Sequence, residues 1–90
     1  MEFVESSDLP YDDVTHYKVV KDADNIIETI YTDFNIFVAE LKSKNNSDID
    51  EKEESDFYKK YESEGYEFCD GSRIASECRD NNAILIMIKE

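Results

Sequence analysis

Two hydrophobic periods alternate along the chain. Val14-Thr15-His16-Tyr17-Lys18-Val19-Val20 is dense in β-branched and aromatic residues and predicts a strand, with Pro10 in the loop before it. Further on, Ile27, Ile30, Phe34, Phe37 and Leu41 recur at spacings of 3, 4, 3 and 4, and Ile26, Tyr31 and Val38 widen the stripe. That is the period of an amphipathic helix, with Asp22 or Asp24 as its cap. The composition opposes the period, because Ile26, Ile27, Thr29, Ile30, Tyr31, Thr32, Ile36 and Val38 all favour strands over helix interiors. The spacing favours one long helix over 24–41. The propensities keep open a helix through about Thr32 followed by a strand at Ile36–Leu41. Either way the aromatic stripe, Phe34 and Phe37 included, is expected in the core.

Asp50 to Ser63 predicts a second helix with Phe57, Tyr58 and Tyr61 on one face, stopped by Gly65. Tyr66 to Cys69 reads as a short strand running into the Asp70-Gly71 turn. Arg73–Arg79 and Ala83–Lys89 flank Asp80-Asn81-Asn82 and read as a hairpin. Its second arm, Ala83 to Ile88, is apolar on both faces, which suits a central strand covered on both sides or an interface. With 90 residues there is room for one domain. The expected fold is α+β: a small single domain, 1–90, with two helices packed on a short, mainly antiparallel sheet. Residues 1–13 form an acidic N-terminal segment and 43–50 a flexible loop.

Charge changes the picture more than the fold does. The chain carries 23 acids against 10 Lys+Arg, a formal charge of −13. Residues 1–13 hold five acids and no base, and residues 48–70 hold ten acids and three lysines. A surface this negative repels nucleic acid and anionic membrane before any specific contact forms. It attracts basic partners instead. The start of the chain lacks the basic and apolar regions of a secretory signal, and the longest apolar run, Ala83 to Ile88, is too short to span a bilayer. A cytoplasmic location is therefore expected. Cys69 and Cys78 then read as two buried thiols, with a disulfide open only if they face each other across paired strands.

The residues needed for most chemistries are missing. One histidine, His16 inside a strand pattern, leaves nucleophilic catalysis without an activated pair. Two glycines, Gly65 and Gly71, cannot build a phosphate-cradling loop. Two cysteines nine positions apart and one histidine complete no zinc site. Read as a calcium loop from Asp48, the chain puts Glu53 where glycine belongs and Lys59 where the closing glutamate belongs. The expectation is a protein that is not an enzyme and has no cofactor and no metal site.

What remains is an acidic surface. Acids three or four apart on a helix stand about 5–6 Å from one another, a row of negative oxygens similar in kind to nucleic-acid phosphates. A Lys/Arg-lined groove closing over them would gain charge-assisted hydrogen bonds. The candidate partner-binding residues are Asp48, Asp50, Glu51, Glu53, Glu54, Asp56, Tyr58, Glu62, Glu64, Glu67 and Asp70. In size, charge and the stretch Asp48-Ile49-Asp50-Glu51-Lys52-Glu53-Glu54-Ser55-Asp56-Phe57-Tyr58, the chain resembles the small acidic bacteriophage proteins that mimic DNA. That class blocks host DNA-binding proteins: restriction enzymes, CRISPR effectors, uracil-DNA glycosylase, RNA polymerase and histone-like nucleoid proteins of the HU type. Its members share no fold, so the resemblance implies a basic DNA-binding partner, an HU-type protein first among them, and no particular architecture. The competing expectation is an assembly or scaffold protein that forms a homodimer through the 83–88 strand, its acids serving solubility.

Overall fold

The computed structural model describes residues 2–11, 13–23, 25–68 and 83–90. Its elements are β1 (Val4–Glu5), β2 (His16–Asp22), β3 (Ile26–Thr32), β4 (Phe37–Ser43), α1 (Glu51–Ser63), β5 (Glu67–Phe68) and β6 (Ile84–Lys89). The six strands form one antiparallel sheet in the order β1-β2-β3-β4-β6-β5. The α+β class and the antiparallel sheet agree with the sequence. The expected pair of helices does not: α1 is the one helix among the described residues.

The long helix expected over 24–41 is a β-hairpin. β3 and β4 pair in register from Ile26↔Ser43 to Thr32↔Phe37. Both faces of this hairpin are covered, so apolar residues occur on both sides of each strand and the alternation that marks a strand is blurred. The β-branched composition is the sounder signal: in the alternative of a helix followed by a strand, the strand at Ile36–Leu41 matches β4, whereas the helix through Thr32 is strand β3. Asp22, offered as a helix cap, is instead the last residue of β2 and forms an ion pair with Lys44. Phe34, counted as core, lies in the turn and is 57% exposed.

The sheet buries two cores. On one face Ile26, Ala39, Leu41, Leu85 and Met87 meet Ile49, Phe57, Tyr61 and Tyr66, contributed by α1 and its flanking loops. On the other, Val38, Ile86 and Ile88 meet Tyr11 and Val14 from the segment between β1 and β2. This double covering explains why β6 is apolar on both faces. It lies between β4 and β5, as a central strand should.

α1 forms where the sequence places it. The Asp50 side chain caps it by accepting a hydrogen bond from the Lys52 N–H at 2.9 Å. Gly65, at φ +94°, ends it in a backbone conformation that L side chains rarely adopt, and its N–H donates to the Glu62 carbonyl. The connection into α1, expected as a flexible loop, carries hydrogen bonds among Ser43, Asn45 and Ser47 and a buried Ile49. The turn at Asp70-Gly71, the hairpin arm at 73–79, Asp24, Cys69 and Cys78 lie outside the described residues.

Candidate functional site

Helix geometry sorts the acids of residues 48–67 into separate groups. Phe57 and Tyr61 point into the sheet, and the opposite ridge runs Lys52, Asp56, Lys59, Ser63. Lysines therefore interrupt the outward face, and the acids do not form one uniform row. On one flank Glu53 receives a hydrogen bond from Lys21 of β2 at 3.0 Å, which holds the lysine above its ordinary pKa. Lys60 on that flank reaches Glu28.

The other flank is different. Glu51, Glu54, Tyr58 and Glu62 follow at intervals of 3, 4 and 4, so they share one side of α1 over about 17 Å of helix axis. The Tyr58 ring packs edge-on against Phe68 of β5 with centroids 4.8 Å apart, and Phe68 is 59% exposed. The result is an acidic strip built around an aromatic pair. At its start, Asp48 and Asp50 extend the negative surface into the loop, both exposed. Three acids in the first turn, Glu51, Glu53 and Glu54, lie at the positive end of the helix dipole, which offsets part of their mutual repulsion.

At the far end Glu62 and Glu64 are exposed, and Glu67 sits exposed on β5. Glu67 pairs with Ile88, whereas Phe68 pairs with Met87 on the helix side, so Glu67 faces away from the strip. The structure thus brings together Glu51, Glu54, Tyr58 and Glu62, with Asp48 and Asp50 near their start. It places Glu53, Asp56 and Glu67 elsewhere. Asp70 lies outside the described residues.

Two buried carboxylates, Glu28 and Glu40, lie outside the candidate set. Glu28 accepts hydrogen bonds from the Tyr61 hydroxyl at 2.5 Å and from Lys60 at 2.9 Å, beneath α1. Glu40, on the other face, accepts from the Tyr11 hydroxyl at 2.6 Å. Burial, with Glu28 beside it, holds the Tyr61 hydroxyl well above the ordinary tyrosine range, and burial with Glu40 does the same to Tyr31. Burial and the nearby Glu64 charge push Tyr66 up to about 12. These pairs are internal supports. A strand-period reading of 26–43 would have exposed both glutamates as buried positions needing donors.

A second surface lies at the β1–β2 end of the sheet. Phe3 packs edge-on against Phe34 at 5.7 Å, His16 against Phe34 at 4.8 Å, and the Lys18 ammonium stands 4.7 Å from the centre of the Phe3 ring. A shallow, open depression lined by Glu5, Ser6, Ser7, Val14 and Thr15 adjoins it. Among the described residues no group of three or more His, Cys, Asp or Glu could hold a metal ion, and no helix is long and apolar enough to cross a membrane. No protein-family model matches the chain, and no curated protein or solved structure matches it.

Proposed function

We propose that this protein is a DNA-mimic inhibitor whose acidic surface occupies the nucleic-acid-binding site of a basic host protein. The observation that carries the reading is the strip Glu51–Glu54–Tyr58–Glu62, continued by Asp48 and Asp50, on a chain of net charge −13. A helix anchored by Phe57 and Tyr61 holds these carboxylates on a rigid support, so little ordering entropy is lost when a Lys/Arg-lined groove closes over them. Tyr58 and Phe68 add aromatic contact area, as interface centres do. The favoured target is an HU-type nucleoid protein, because its basic DNA-binding arms suit an acidic body. Restriction, CRISPR and RNA polymerase components share that chemistry. No catalytic step, cofactor or metal enters this reading, and the site of action is the cytoplasm of a host cell.

The scaffold alternative loses the feature that motivated it. Leu85, Ile86, Met87 and Ile88 are buried by the protein's own core, so their apolar character needs no second copy. The test is a tagged pull-down from bacterial lysate at low and high salt, followed by mass spectrometry. Recovery of one DNA-binding protein that salt or duplex DNA displaces supports mimicry. Recovery of the protein's own subunits alone, or of a salt-insensitive partner, overturns it.

A further inference from the structure

We propose that Phe68 and Tyr58, with Glu54 and Glu62 on either side, form a receptor for an arginine side chain of the basic partner, an inference that rests on the inhibitor reading and deepens it. Phe68 belongs to β5, the strand at the end of the sheet, and its register with Met87 puts it on the face that α1 covers. Met87 is wholly buried there, but Phe68 is 59% exposed and belongs to neither core. The Tyr58 ring braces it edge-on, with centroids 4.8 Å apart and planes at 65°. The fold thus carries at its edge an open aromatic ring that packing does not require.

The acids beside the rings are available. Glu54 and Glu62 stand four residues before and after Tyr58 on α1, about 6 Å along the helix axis in each direction. Glu54 is half-buried and Glu62 exposed, and among the described residues neither carboxylate has a hydrogen-bond or ion-pair partner. No lysine of α1 shares this flank. Lys60 reaches Glu28 from the opposite flank, and Lys52 and Lys59 lie on the outward ridge. Lys89 of β6 stands over the Tyr66 ring, where the Glu64 charge also acts.

The site therefore offers negative charge next to an aromatic face, and the two basic side chains meet it differently. The guanidinium of arginine is planar and weakly hydrated, so it stacks on a ring while its N–H groups donate at the rim. Over Phe68 it can donate to Glu54 or Glu62, which leaves the other acid to a neighbouring base. The lysine ammonium is a compact, strongly hydrated charge that gains from the carboxylates and less from the ring. Arginine is also a side chain that holds DNA phosphates, so its capture here is what competition with DNA requires. A second copy of this chain would bring its own charge of −13 against an acidic flank, which opposes association.

The test measures binding of the full chain to dye-labelled oligo-arginine and oligo-lysine peptides of equal length by fluorescence anisotropy, beside displacement of a DNA duplex from purified HU protein. Wild type is expected to bind oligo-arginine about fivefold more tightly than oligo-lysine. Phe68→Leu keeps apolar surface and removes the π face. It is expected to keep the wild-type melting temperature and its grip on oligo-lysine while losing the preference for arginine. Glu54→Gln/Glu62→Gln is expected to weaken binding of both peptides. Equal binding of the two peptides by wild type, or a preference undiminished in F68L, overturns the receptor, and the inhibitor reading stands if the duplex is still displaced. Loss of displacement with the peptide preference intact counts against the inhibitor reading alone. A wild-type dimer in light scattering that F68L converts to monomer puts a second copy on the rings and also overturns the proposal.

Discussion

Glu28 and Glu40 stand on neighbouring strands and opposite faces of the sheet, each ended by a tyrosine hydroxyl from outside it: Tyr61 at 2.5 Å and Tyr11 at 2.6 Å. The register Thr29↔Glu40 and Glu28↔Leu41 fixes this arrangement, since cross-strand partners share a face and successive residues do not. One bond ties α1 to the sheet and the other ties down the segment between β1 and β2. The two coverings that define the fold therefore each have a buried, charge-assisted latch.

Removing either hydroxyl leaves a buried carboxylate short of a donor. Tyr61→Phe is expected to cost about 1.5–3 kcal/mol, and Tyr11→Phe a similar amount. The pairs share no partner, so the double variant should lose the sum of the two within about 0.5 kcal/mol. Urea denaturation of the three variants checks this. Losses well below 1 kcal/mol would show that the latches contribute little.

Alkaline pH acts on the same tyrosines. Tyr61, Tyr31 and Tyr66 all have raised pKa values in the folded state, Tyr66 at about 12 against an ordinary 10.0. A folded state that holds its proton more tightly has its full stability below the unfolded pKa near 10 and loses it as pH rises through the folded values. Tyrosinate absorbance and far-UV circular dichroism should accordingly show several of the six tyrosines ionising only with unfolding, above pH 10. Ionisation of all six near pH 10 with the fold intact would contradict the burial described here.

Core position and exposed turn separate two phenylalanines. Phe57 is 2% exposed and Phe34 57%. Phe57→Ala should cost about 3–5 kcal/mol, whereas Phe34→Ala should change stability little. Thermal melts of the two variants decide the point, and equal losses would place Phe34 back in the core.

These positions also show how far the sequence could be read. α1 was legible because everything that defines it is local: a capping aspartate at 50, an aromatic face at 57 and 61, and a glycine at 65. β2 and β6 were legible from composition. The β3–β4 hairpin was not, because Ile27, Ile30, Phe34, Phe37 and Leu41 imitate helical spacing while belonging to both faces of two strands and a turn. Glu28 and Thr29 blur the pattern further, since buried polar residues break the strand alternation. A strand period puts Glu28 on the face of Ile26 and Ile30, but its donor Tyr61 arrives from 33 positions away, and no local window names that partner. Of the candidate site, charge and location were legible, but the division of the acids by helix phase required the direction in which α1 packs.

The inhibitor reading is tested most directly by the salt-dependent displacement of duplex DNA from HU by wild type and by Glu51→Lys/Glu54→Lys/Glu62→Lys. Wild type is expected to displace the duplex, with an affinity that falls steeply as salt rises. The strip variant, with its helix confirmed by circular dichroism, is expected to lose displacement, whereas Asp56→Lys on the lysine-flanked ridge should retain most of it. Undiminished displacement by the strip variant, or wild-type binding indifferent to salt, would contradict the assignment of this flank as the DNA-mimicking surface.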